Sequence, residues 1–187
     1  MKYIFLLLFL LSSINGQGQF MRTRGYTNYT ELGILFGKEK VGETNPSQSR
    51  AVATVQSFNG YRLYTGLVVG ATVGIDWYNS EKMIVPLSIG FRGDFSKKHR
   101  VTPYYALDIG KGMMWLTNGD RYTTQKGGFH LGTALGLRIT TGNGTALLWS
   151  IGYKRQAIEQ YIDYGYGQGL TYDSKYKSIS MRLGISF

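Results

Sequence analysis

The chain has 187 residues, a formal net charge of +10, no cysteine, three prolines, 26 glycines and 15 tyrosines. That length suits one domain with a real core or one small barrel, and the lack of cysteine excludes a disulfide framework, a thiol nucleophile and a thiolate metal site. Glycine is about twice its usual share of roughly 7%, and with many tyrosines and little proline it fits a curved sheet with an aromatic rim.

Residues 1–18 read as an export signal. Lys2 forms a positive n-region, Tyr3 to Leu11 an apolar h-region, and Ser12, Ser13, Gly16 and Gly18 supply small residues near a cleavage site at 16–18. The mature domain is then 19–187. No later segment approaches the roughly 18 consecutive apolar residues of a spanning helix.

From there the chain alternates with period two, the pattern of strands with one apolar and one polar face. The first strand runs from Tyr29 to Gly37, with Leu32, Ile34 and Phe36 opposed to Glu31, Gly33 and Gly37. A polar segment, Lys38 to Arg50, leads to a second strand, Ala51 to Asn59, whose facing the pattern does not fix. After a connection at Gly60-Tyr61-Arg62, a third strand opposes Leu67, Val69, Ala71, Val73, Ile75 and Trp77 to Gly66, Val68, Gly70, Thr72, Gly74 and Asp76. Beyond Tyr78 to Lys82, the fourth sets Met83, Val85, Leu87, Ile89 and Phe91 against Ser88, Gly90, Arg92 and Asp94.

The basic turn Ser96 to Arg100 precedes a fifth strand, with Tyr105, Leu107 and Ile109 opposite Tyr104, Ala106, Asp108, Gly110 and Gly112. A loop from Thr117 to Lys126 leads to a sixth, which opposes Phe129, Leu131, Leu135, Leu137 and Ile139 to His130, Gly132, Ala134, Gly136 and Arg138. Thr141-Gly142-Asn143-Gly144 predicts a tight hairpin turn, because Asn-Gly readily takes positive φ. The seventh strand sets Leu147, Trp149, Ile151 and Tyr153 against Ala146, Ser150, Gly152 and Lys154. A tyrosine-rich segment, Arg155 to Lys175, precedes the last strand, Ser178 to Phe187. There Ile179, Met181, Leu183, Ile185 and Phe187 alternate with Ser178, Ser180, Arg182, Gly184 and Ser186.

That strand resembles the closing strand of bacterial outer-membrane β-barrels, and in that family the final aromatic belongs to the signal read by the barrel-assembly machinery. The resemblance gives Phe187 that role. Eight strands, mostly long odd connections and short even ones extend the likeness to small barrels of the OmpA and OmpX kind over essentially the whole mature chain. The chemistry of the faces agrees. The bulky residues occupy the apolar face, while glycine, serine, alanine and charges occupy the other, and only small side chains fill a narrow eight-stranded interior. The apolar face therefore points outwards and needs lipid. Trp77, Tyr78 and Trp115 read as an outer aromatic girdle, and Tyr104, Tyr105, Phe91, Phe95 and Phe187 as an inner one. The fold class is all-β, an antiparallel eight-stranded transmembrane β-barrel.

On this facing Glu31, Asp76, Asp94 and Asp108 point inward together with Arg92, Arg138, Lys154 and Arg182. Mutual neutralisation is what a water-poor interior requires, so they read as a structural plug rather than a pore or proton path. Closure of strand eight on strand one brings Arg182 towards Glu31. His130 and Ser150 could suggest the histidine–serine chemistry of barrel lipid A deacylases. However, projection from the hairpin sets His130 beside Gln156 and Ser150 beside Gly136, several residues apart, and His130 is followed by Leu131-Gly132 instead of that family's histidine-x-serine. The chain is not expected to be an enzyme, and no cofactor or metal is implied.

The expected location is the outer membrane of a Gram-negative bacterium. The positive charges gather on no single element, so outer-membrane lipid and lipopolysaccharide are the expected anionic neighbours and nucleic acid is not. The barrel-assembly machinery is the expected partner during insertion. A protein partner is expected at the external loops, where Tyr161, Tyr164, Tyr166 and Tyr172 lie among glycines, a mixture that binding loops favour. The expected role is structural or surface-interacting. A narrow pore, an accessory subunit of an outer-membrane complex and a lipid-modifying enzyme stand as alternatives.

Overall fold

The computed structural model describes residues 25–39, 48–64, 66–78, 83–96, 99–114, 123–142, 144–163 and 169–187. The export signal expected at 1–18, and Trp115 of the expected outer girdle, lie outside the described residues. Eight strands follow in order: β1 (Gly25–Glu39), β2 (Gln48–Tyr64), β3 (Leu67–Trp77), β4 (Met83–Asp94), β5 (Val101–Met113), β6 (Thr123–Gly142), β7 (Thr145–Asp163) and β8 (Gly169–Ser186). Each pairs antiparallel with the next, and β8 returns to β1 to close a barrel.

The closing seam runs from Tyr29 opposite Ser186 to Lys38 opposite Lys177. Below it, Asn28 and Phe187 exchange both backbone hydrogen bonds, at 2.8 and 3.1 Å. Gly144 sits at φ 78° in the β6–β7 turn, the left-handed conformation that the Asn-Gly pair predicts.

The faces follow the alternation. Ile89 is 61% exposed and Leu183 58%, on the outside, while Asp76 and Arg92, on the inside, are fully buried. A soluble protein does not carry an apolar surface of this extent around its whole girth. No helix among the described residues is long and apolar enough to cross a membrane; here the strands make the crossing. β2, unassigned by pattern, turns Val52, Thr54, Gln56 and Phe58 inward and Ala51, Ala53 and Val55 outward.

Three expectations change. The stretch Gly60-Tyr61-Arg62 is not a connection: β2 continues to Tyr64, with Arg62 opposite Val68 of β3 and opposite Gly25 of β1. The segment Arg155 to Lys175 is largely strand, because β7 runs to Asp163 and β8 begins at Gly169, paired from Ala146–Ser186 up to Asp163–Gly169. Finally, Tyr78 and Tyr104 belong to no girdle. Both are buried inside the barrel, where each phenol packs against other rings.

The interior is filled in layers. Towards the end where β2 leads to β3, β4 to β5 and β6 to β7, Tyr29, Phe58, Val68, Tyr104, Ala106, Ala134 and Leu148 form one apolar cluster. Towards the opposite end, which carries the loops, Leu35, Val52, Tyr78, Ile84, Ile158 and Tyr176 form another. A belt of charged and amide side chains lies between them.

Candidate functional site: the buried charge belt and the strands beyond it

All eight interior charges expected from the sequence are buried: Glu31, Asp76, Arg92, Asp94, Asp108, Arg138, Lys154 and Arg182. They face inward because each occupies an even rung of a strand whose odd rungs are apolar, or the reverse on β1. Their partners come mostly from strands that are not neighbours.

Arg92 on β4 donates to Asp108 on β5 at 2.8 Å, and Thr72 on β3 donates to the other oxygen of Asp108. Its guanidinium also lies 4.6 Å from the centre of the Phe58 ring, which joins the charge belt to the turn-end apolar cluster through a cation–π contact. Lys154 on β7 spans the barrel to Asp76 on β3 at 2.8 Å, and Thr54 donates to the same oxygen at 2.6 Å. Nearer the turn end, Asp94 takes two cations, Arg138 at 2.6 Å and Arg62 at 3.1 Å, and Arg62 also donates to the Tyr29 hydroxyl.

Glu31 is held differently. Gln56 donates to one carboxylate oxygen at 2.7 Å, and Tyr104 and Ser150 donate to the other at 3.0 Å each. Arg182 lies opposite Gly33 and Glu31 opposite Gly184, so the two sit on adjacent inward rungs of the seam. They interact through charge, as Glu31 also does with Arg92. The direct donors to Glu31 are neutral, and Arg182 Nε has no hydrogen-bond partner among the described residues. The other three carboxylates are taken up by Arg62, Arg92, Arg138 and Lys154.

Sequence reasoning missed Arg62, read as part of a turn. It also missed the neutral donors Gln56, Tyr104 and Ser150. Only the inward alternation signalled Tyr104 and Ser150, and β2 showed no usable alternation to signal Gln56.

His130 pairs with Gln156 across β6 and β7, with Nδ1 3.0 Å from the amide oxygen, as projected from the hairpin. Ser150 lies opposite Gly136 and donates to Glu31. The histidine and the serine thus have separate partners and do not form a nucleophile–base pair.

Tyr161 lies opposite Thr171 on the β7–β8 hairpin and Tyr172 opposite Gln160. Tyr164 and Tyr166 lie outside the described residues. Above the barrel proper, the pairing among the described residues thins to three strands. β5 meets β6 no higher than Lys111 opposite Phe129, and β1 meets β8 no higher than Lys38 opposite Lys177. β6 continues along β7 to Thr123–Ile162, and β7 along β8 to Asp163–Gly169. A wing of β6, β7 and β8 therefore stands beyond the apolar band at the loop end.

A closed eight-stranded antiparallel barrel, apolar outside and packed with paired charge inside, is a transmembrane β-barrel of the small outer-membrane type. Solved structures agree with that fold. The crystal structure of Neisserial surface protein A (NspA) matches at a TM-score of 0.60 and 14% identity, over 88% of this chain and 98% of that one. The solid-state NMR structure of outer membrane protein AlkL in lipid bilayers matches at 0.57 and 15% identity, over 90% and 92%. No protein-family model matches the chain, and no characterised protein matches it by sequence.

Proposed function

We propose that this chain is an integral outer-membrane protein of a Gram-negative bacterium whose role is to present its loop end to the exterior, as a structural or surface-interacting protein. The observation that carries this reading is the contrast between a filled barrel and an open wing. Two apolar clusters close the interior on either side of the charge belt, whereas β6–β8 extend well past the lipid-facing band. Extended strands with free edges recognise partners by adding a strand, and tyrosines on such a platform give large contact area at low entropy cost.

The wing can be removed without disturbing the barrel. Replacing residues 159–173 with an Asn-Gly turn would join Ile158 to Ser174, which already face each other. The shortened protein is expected to remain heat-modifiable in outer-membrane fractions and to lose its crosslinked partners in native membranes. Retention of every partner would move the interaction site to residues 40–47 or to the basic turn at 95–100.

The same reading assigns Phe187 to recognition by the barrel-assembly machinery. The Asn28–Phe187 pair forms the last rung of the seam, and Thr27 adds a hydrogen bond to the Phe187 carbonyl at 2.9 Å. Deleting Phe187 is expected to lower the yield of assembled barrel in cells while leaving the unfolding temperature of barrel already inserted nearly unchanged. Normal outer-membrane yield after the deletion would remove that assignment.

A further inference from the structure

At the end of the barrel where β2 leads to β3, β4 to β5 and β6 to β7, the sequence is one-sided in charge. Residues 60–68, 93–103 and 137–147 hold Arg62, Lys97, Lys98, Arg100 and Arg138 but a single acid, Asp94. Charge of one sign gathered at a rim draws ions of the other sign from the solution around it.

Part of that charge is built into the mouth of the lumen. On β2 Arg62 lies beyond Phe58, Asp94 is the last residue of β4, and on β6 Arg138 lies beyond Ala134. All three therefore sit at the outer edge of the apolar cluster that fills the lumen at this end. Both arginines donate to the same oxygen of Asp94, at 3.1 and 2.6 Å. Two guanidiniums on one carboxylate leave the trio with a net positive charge. Their side chains are 12% and 9% exposed, against 0% for Arg92 deeper in the belt, so a solute can touch them and cannot touch Arg92.

Two further groups point to a missing occupant. Arg138 Nε is buried and has no hydrogen-bond partner among the described residues. Thr102 lies opposite Arg138, and the Arg100 carbonyl accepts from Thr140 N at 2.8 Å, which fixes Arg100 one rung further out. Arg100 is exposed, and its guanidinium makes no hydrogen bond or ion pair among the described residues.

We infer that Arg62, Arg138 and Arg100 form a binding site for the oxyanion group of a soluble ligand. Asp94 orients the first two, and Arg100 adds to the charge that Asp94 leaves uncancelled. Guanidinium forks donate paired hydrogen bonds to phosphate or carboxylate oxygens. Placement selects a soluble source over a lipid headgroup. Arg62 and Arg138 occupy inward rungs, so the barrel wall separates them from the outward, exposed Tyr61, Phe95 and Val101. The site gives the barrel a second recognition face, opposite the loop end.

The test uses the full-length barrel refolded in dodecyl maltoside, a detergent without phosphate. Inorganic phosphate is titrated against chloride at equal ionic strength. The Arg138 Nε–H resonance reports on the site, and calorimetry gives the affinity. Three variants are compared with wild type. Arg100→Gln removes the exposed guanidinium, and Arg138→Lys keeps the charge but loses the fork. The pair Lys175→Gln, Lys177→Gln removes exposed charge at the opposite end. Heat-modifiable migration reports folding of each separately.

Phosphate is expected to shift the Arg138 Nε–H signal, and chloride is not. Arg100→Gln and Arg138→Lys are each expected to weaken phosphate binding about tenfold, the size of losing one hydrogen bond to a charged group. The lysine pair is expected to leave it unchanged. If Arg138→Lys does not assemble, Arg100→Gln, an exposed change, still decides. An unmoved Arg138 signal, an equal shift with chloride, or equal weakening in the lysine pair overturns the site. Displacement of phosphate by phosphatidylglycerol added to the micelles makes a headgroup the occupant and overturns the soluble source.

Discussion

Replacing Glu31 with alanine is expected to destabilise the folded barrel by about 3–5 kcal/mol, the range for breaking a buried charge arrangement from one side. The carboxylate accepts from Gln56, Tyr104 and Ser150, and those donors would be left facing one another. Its loss also removes negative charge from beside Arg92 and Arg182, and no other carboxylate takes Arg182 into an ion pair among the described residues. The double variant Glu31→Ala, Arg182→Met should recover much of the loss, though not the part due to the three orphaned donors. Urea unfolding of the refolded protein in vesicles measures all four corners of the cycle. Strict additivity would show that Arg182 is answered by something other than Glu31. Glu31→Gln should fall between wild type and alanine, because it keeps a hydrogen-bond acceptor and loses only the charge.

The second large effect is steric. At Gly33 an added Cβ would overlap the carbonyl oxygen of Met181 and come within 2.8 Å of the Arg182 Cα. Those are backbone atoms of β8, so no rotamer change relieves the clash, and the closing seam itself must part. Gly33→Ala is therefore expected to cost about 3 kcal/mol or more, at or beyond the upper end of ordinary overpacking. Gly132→Ala is the matched control. There a Cβ meets nothing nearer than the Asp108 Cβ at 3.5 Å. The refolded fraction of the two variants, read from gel mobility with and without heating, should separate clearly. Similar behaviour of the two would mean that the seam is more open than its register implies.

Most of the barrel is legible in the sequence because lipid imposes a strong contrast. Where a strand crosses hydrocarbon its outer rungs must be large and apolar, and a narrow interior demands small or paired polar residues on the other rungs. β3, β4, β6 and β8 meet both conditions, and their facing follows directly. β2 defeats the rule because its outer rungs hold Ala51, Ala53, Ser57 and Asn59 while Val52 and Phe58 point inward, so the two faces carry little contrast. Tyr78 and Tyr104 were misplaced for a related reason. A phenol suits either a headgroup boundary or a buried hydrogen-bonded position, and composition does not separate them. Beyond the membrane the contrast disappears altogether. The upper ends of β7 and β8 run past the lipid-facing band, so no period-two apolar signal marks them, and tyrosine with glycine reads as loop. The inward set of charges follows from alternation. Which charge meets which depends on strand tilt across the lumen, and adjacency along the sheet does not contain that information.

That last point bears on how the chain finds its register. A strand that slips by two residues keeps its apolar rungs outward and its backbone ladder intact, so neither lipid nor main chain detects the error. The lumen does detect it. Asp94 of β4 joins Arg62 of β2 to Arg138 of β6, Asp76 of β3 reaches Lys154 of β7, and Glu31 of β1 gathers groups from β2, β5 and β7. A slip in any one strand leaves at least one ion without its counterpart in a buried interior, where unpaired charge is costly. The charge belt thus works as a combination lock, in which every strand must stand at its own setting before the barrel can close.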